Sequence, residues 1–174
     1  MALYGAADLA RSFRVVRTNT IHVAEEIPEE HYTYRATPAV RSVGEMLAHV
    51  AMMTVSSQES HAQRLSFMSF EHFAEGRQRM DAQARELTTK AKIIAALKEN
   101  GERFATFLES LTDEVLAEQV GFPPPVSPPS KTRFEMLLSV KEHEMHHRAQ
   151  LMLIQRLLGQ VPHLTRRREQ MANR

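Results

Sequence analysis

The chain has 174 residues, with 22 basic against 21 acidic side chains and a formal net charge of +1. That length suits one domain whose core folds without staples, and the balanced charge gives no general pull toward nucleic acid or acidic membranes. There is no cysteine, which excludes disulfides, a thiolate zinc site and a cysteine nucleophile, so any transition-metal site must use His, Asp, Glu or water. The segment from Met1 to Leu9 lacks a basic start followed by an apolar core, and nowhere do about 18 apolar residues run together, so a soluble, cytoplasmic protein is expected.

A first helix is predicted from about Ala7 to Glu26, with Leu9, Phe13, Val16, Thr20 and Val23 on one face, and it stops before Pro28. A loop then runs to Arg41. Ser42 and Glu45 have the spacing of a capping box and open a second helix that should continue to about Phe67. Ser69 to Thr88 is polar and ambiguous. A third helix, from about Thr89 to Leu108, turns Ile93, Leu97, Phe104 and Leu108 inward, and a short turn follows at Asp113 to Ala117.

The stretch Gly121 to Ser130 holds five prolines and cannot be helical, so it reads as a stiff extended crossover. It delivers the chain to a fourth helix, which a second capping box, Thr132 with Glu135, opens and which runs to Leu158, ended by Gly159 with Pro162 beyond. Arg166, Arg167 and Arg168 form the one local basic run, in a solvated tail. Nothing alternates with a strand period. The expected fold is all-α: a four-helix bundle with a Pro-rich crossover before its last helix, one domain over 1–174 with a core at about 7–162 and a basic tail at 163–174.

The last helix carries His143-Glu144-Met145-His146-His147. Residues four apart on a helix stand one above the other, so His143 and His147 can converge on one ion, whereas His146 points roughly 100° away from His147. Both lie on the stripe Met136, Val140, His143, His147, Leu151, Ile154, Leu158, read as the buried face. Buried imidazoles must be satisfied, since an unpaired buried polar group costs about 1–3 kcal/mol. A third ligand should come from a facing helix, and His49, flanking the apolar stripe Val43, Met46, Leu47, Val50, Met53, is the best candidate. Glu45 and Glu144 are candidates for orienting an imidazole. His22, His31, His61, His72 and His163 read as surface residues, with His61 kept as a possible neighbour of the site.

The pattern H-E-x-x-H also occurs in metalloproteases, but no third ligand follows downstream and no strands are visible to hold a peptide. A di-iron carboxylate site would need two E-x-x-H pairs, and only Glu144 to His147 has that spacing. There is no Ser-His-Asp pattern, phosphate-binding glycine loop or nucleotide fingerprint.

Three segments together resemble the DinB/YfiT-like family of metal-binding four-helix bundles: Ser42 to His49, His143 to Leu151, and Leu157 to Pro162. Where relatives often have glycine after His-His-Arg, this chain has Ala149. The resemblance spans most of the chain and implies that His49, His143 and His147 are metal ligands, with open positions for water or substrate. It also implies a homodimer acting on a small molecule, by metal-dependent hydrolysis or by transfer or isomerisation that uses a low-molecular-weight thiol. Zinc is the first expected ion and nickel the second. Met46, Met52, Met53, Met145 and Met152 are candidates for an adaptable pocket. The competing class is a non-enzymatic metal-binding or stress-associated bundle, in which the ion ties the second helix to the fourth.

Overall fold

Helices form where the sequence couples an apolar stripe to a cap. In the computed structural model, which describes residues 4–173, they are α1 (Ala6–Glu26), α2 (Val43–Ala62), α3 (Phe70–Arg85), α4 (Lys90–Glu109), α5 (Asp113–Ala117), α6 (Arg133–Leu157) and α7 (His163–Ala172). Met1, Ala2 and Leu3 of the N-terminal reading and Arg174 of the basic tail lie outside the described residues. Both expected capping boxes are present: Glu45 N donates to Ser42 Oγ at 3.2 Å while Ser42 N donates to Glu45 Oε2 at 2.9 Å, and Thr132 and Glu135 do the same at the start of α6. Gly159, at φ 77°, ends α6 in the left-handed conformation that glycine adopts without strain.

Helices α1, α2, α4 and α6 make the four-helix bundle, and α3 lies against α2. The core has two apolar layers. One gathers Val23, Ile27, Val43, Leu47, Ile93, Leu97, Leu151 and Ile154. The other gathers Leu9, Phe13, Phe104, Leu108, Leu137 and Val140, with the Phe13 and Phe104 rings edge to face at 5.0 Å. Between the layers sits a buried ion pair. Arg17 Nε donates to Glu144 Oε1 at 2.9 Å, Arg17 Nη2 to Glu144 Oε2 at 2.9 Å, and Arg17 Nη1 to the Leu97 carbonyl at 2.8 Å. Glu144 is 0% and Arg17 4% exposed.

Several boundaries differ from the expectation. The second helix stops at Ala62 rather than Phe67, because Arg64 turns left-handed (φ 55°) and Ser66 to Met68 peel away to bond Gly121, with Gly121 N to Ser66 O at 2.9 Å and Met68 N to Gly121 O at 3.0 Å. The ambiguous polar stretch is helical as α3, capped by Ser69, whose Oγ accepts from His72 N at 3.2 Å. Strands β1 (Gln119–Gly121) and β2 (Ser130–Thr132) pair antiparallel and clamp the ends of the Pro-rich crossover. The basic tail is helical as α7, although none of its residues is buried; Arg166 pairs with Glu26 and Arg156 bonds Thr165 Oγ1 at 2.8 Å.

Gly101 makes room for the ion pair, since a Cβ there would lie 2.8 Å from Arg17 Cγ and 3.0 Å from Arg17 Nη1. Gly101→Ala should therefore destabilise the fold by about 1–3 kcal/mol through overpacking. Gly76→Ala, whose Cβ would meet only Ser56 Oγ at 3.6 Å, should be neutral or stabilising by up to about 1 kcal/mol. Urea denaturation of both variants checks this; equal midpoints would contradict the packing role assigned to Gly101.

Candidate metal centre

The bundle brings His49, from the second turn of α2, against His143 and His147, one turn apart on α6. Their ring nitrogens converge: His49 Nε2 lies 3.0 Å and His147 Nε2 2.9 Å from His143 Nε2, and the ligating atoms of all three fall within 4.8 Å of one another. Two nitrogens bound to one ion at about 2.0–2.1 Å can be no more than about 4.2 Å apart, so both short contacts fit a shared ion. Hydrogen bonding alone does not explain them. A ring nitrogen donates or accepts one well-aligned hydrogen bond, so two neighbours on His143 Nε2 leave at least one close approach without a shared proton. A cation held by three lone pairs resolves the conflict, and the group could hold a metal ion.

One tautomer is fixed by its neighbour. His147 Nδ1 lies 2.8 Å from Gln150 Oε1, an atom that can only accept, so Nδ1 carries the proton and Nε2 presents its lone pair. The same carboxamide donates through Nε2 to His146 Nε2 at 3.1 Å, and His146 points outward as expected. His49 is oriented by packing, since its Nδ1 is buried without a hydrogen-bond partner among the described residues. Burial, reinforced by the Arg41 charge, holds His49 down to about 3 and His147 down to about 4. His143 is lowered too, chiefly by burial and then by His146 and Arg41. All three are neutral at neutral pH, the form that ligates a metal.

Not every expected residue stands where the stripe put it. The buried face of α6 runs through Leu137, Val140, Glu144, His147, Leu151 and Ile154. His143 sits on its exposed rim, which leaves one side of the cluster open. Glu144, expected to orient an imidazole, instead spends both oxygens on Arg17. The same burial removes it as the base of a protease-type H-E-x-x-H. Glu45 is likewise committed, to Ser42 N and to Arg35. His61 is not a surface residue: it is 4% exposed, and its Nδ1 accepts from Arg133 Nη1 at 3.1 Å. Twelve residues beyond His49 on the same helix, about 18 Å along its axis, it is no neighbour of the site. Sequence reasoning missed Gln150, whose signal was its i, i+3 spacing from His147, and Arg17, whose signal was a lone cation on an otherwise apolar face.

The family model described as "DinB family" matches residues 3–173. Among solved structures, the chain is similar to a crystal structure of a DinB-like protein, YjoA, from Bacillus subtilis, at 21% identity and a TM-score of 0.64, covering 88% of this chain and 92% of that one. At that identity the likeness shows a shared fold. No curated protein matches the sequence.

Because the imidazoles are neutral when folded, protons destabilise the metal-free protein. An unfolded histidine takes up a proton near pH 6.5, whereas folded His49 and His147 resist down to about 3 and about 4. Stability is therefore fully present above about pH 6.5 and falls as pH drops from there toward 4. Ring-proton NMR of metal-free protein should show these two histidines titrating below pH 5, and denaturation midpoints should fall over the same window. Titration near 6.5 with a flat stability profile would contradict the buried, neutral assignment.

Proposed function

The chain belongs to the DinB family, and from that premise we propose that it is a metal-dependent enzyme whose centre is held by His49, His143 and His147. The observation that carries the reading is the convergence of three neutral Nε2 atoms on the open side of the bundle, where His143 is exposed. An ion in that place would act as a Lewis acid that lowers the pKa of bound water or binds a thiolate. The reactions we assign to it are hydrolysis, or transfer or isomerisation using a low-molecular-weight thiol. Zinc is the proposed ion and nickel the second choice, as three imidazoles suit both. The substrate is a small molecule, and the working form we propose is a cytoplasmic homodimer.

The protein's own residues supply the preorganisation. Gln150 holds the His147 ring and its tautomer, so Nε2 needs no proton movement before it can ligate. The Arg17 to Glu144 pair fixes the backbone next to His143, and Arg17 Nη2 approaches the carbonyl of Val50, next to His49, at 3.4 Å. The rim position of His143 leaves an approach for substrate, whereas a purely structural centre would be closed on all sides.

Metal content by mass spectrometry, on tag-free protein purified without added metal, tests the reading. Near-stoichiometric metal in the wild type, lost in both His49→Ala and His147→Ala, is expected. Metal absent from the wild type and not taken up on reconstitution would overturn it. For the thiol branch, a cobalt-substituted sample should change its visible absorption when a low-molecular-weight thiol is added, and an unchanged spectrum with every thiol tried would remove that branch.

A further inference from the structure

A concavity of about 1160 Å³ runs along α1 and α7 past Arg14, His22, Glu25 and His163, and none of the three clustered imidazoles lines it. A trough of about 670 Å³ does reach the cluster, opening on His147 and Gln150. That volume lies in the range of small-molecule sites. Val40, Met46, Leu153, Ile154 and Leu157 line it, and Leu153 and Leu157, one turn apart on α6, are 57% and 58% exposed. Of the five methionines considered for an adaptable pocket, Met46 alone lines this trough. Aliphatic side chains left uncovered beside a polar cluster are where an apolar ligand body gains most from leaving water.

The trough also holds two guanidinium groups with different duties. Arg35 is spent, since it donates to the Val40 carbonyl at 2.8 Å and pairs with Glu45. Arg41 lines the trough with no hydrogen-bond or ion-pair partner among the described residues. Its place is held by backbone bonds on the following turn, Val43 N to Tyr34 O at 3.1 Å and Gly44 N to Tyr32 O at 2.8 Å. Arg41 shares the trough with His147, whose Nε2 stands 2.9 Å from His143 Nε2 in the cluster. No carboxylate lines the trough, and Glu45 and Glu144 are committed elsewhere, to Arg35 and to Arg17. A half-buried cation beside neutral imidazoles is thus left without a counter-charge, and a bound divalent ion would deepen the deficit.

We propose that this trough binds a small amphipathic anion, its carboxylate or similar head paired with Arg41 beside the imidazoles and its aliphatic body laid along Leu153, Leu157 and Met46. The proposal deepens the metal-enzyme reading by giving the substrate class, and it rests on that reading for what happens to the anionic end. Recognition by Arg41 and the leucine wall needs no ion. A planar guanidinium suits a carboxylate through paired, charge-assisted hydrogen bonds, and the neutral wall selects for a hydrocarbon tail.

Calorimetric titration of octanoate, acetate and octylammonium into metal-stripped and zinc-loaded protein tests this, with metal content and thermal midpoint measured on the same samples. Octanoate should bind both forms, acetate at least about tenfold more weakly for want of a tail, and octylammonium should not bind. Arg41→Gln should weaken octanoate by about tenfold or more and Arg41→Lys should restore part of the loss, with metal content unchanged. Leu153→Ser should weaken octanoate and leave acetate unaffected. Failure of octanoate to bind either form, equal binding of octanoate and octylammonium, or full affinity in a folded Arg41→Gln would overturn the proposal. Arg41-dependent octanoate binding by protein that takes up no zinc would support the trough while removing the metal reading; zinc uptake without octanoate binding would do the reverse.

Discussion

Arg17 reaches from α1 to Glu144 on α6, to the Leu97 carbonyl on α4 and toward the Val50 carbonyl on α2, so one guanidinium engages all four helices of the bundle. Burying two charges is costly, and their attraction offsets that cost only when the geometry is good and the remaining donors find acceptors. Here the carboxylate is gripped by two guanidinium nitrogens, a third nitrogen takes a main-chain carbonyl, and the Phe13 ring lies 5.2 Å beneath the guanidinium carbon. Removing either partner would strand a buried charge, at a cost of about 3–5 kcal/mol. The absence of a side chain at Gly101 belongs to the same arrangement, as it clears the path that Arg17 follows.

Two of Arg17's partners lie one peptide from two of the three imidazoles. Glu144 follows His143 and Val50 follows His49, so the bonds that hold the pair also set the height of α6 against α2 at the level of the cluster. The imidazoles then need only local support. Gln150 orients one, packing orients another, and the third sits on the rim. The result is a buried frame beneath a cluster that is open on one side, an arrangement that suits the proposed role. The Pro-rich crossover, clamped at its ends by β1 and β2, delivers the chain to Arg133, whose 1% exposed side chain anchors the start of α6 through Glu118 and the Leu65 carbonyl.

Much of this was legible in the sequence. The apolar face of α1, both capping boxes and the Gly159 stop of α6 follow from local chemistry, and local chemistry survives folding. His143 with His147 was legible from spacing, and His49 from its place flanking the apolar stripe of the facing helix. The phase of α6 was not. Glutamate reads as a surface residue and histidine as amphipathic, so the stripe was drawn through His143, when the core runs through Glu144. The correction depends on Arg17, 127 residues away in sequence, and no pattern within a single helix reports such a partner. Helix α3 escaped notice because only Gly76 and Met80 are buried, too few to make a stripe, and the two strands of three residues each are too short to show alternation.

The most direct test of the claim that the buried pair frames the metal centre is the zinc affinity of Arg17→Met/Glu144→Met beside that of the wild type, each with its unfolding transition recorded. Two apolar side chains of similar length leave no stranded charge, so the variant should still fold cooperatively. If the pair sets the register of α2 and α6 at the imidazoles, zinc should bind the folded variant at least about tenfold more weakly, the scale on which outer supports of a metal site act. Wild-type affinity in a folded double variant would contradict it, and would mean that the three histidines find their places from apolar packing alone.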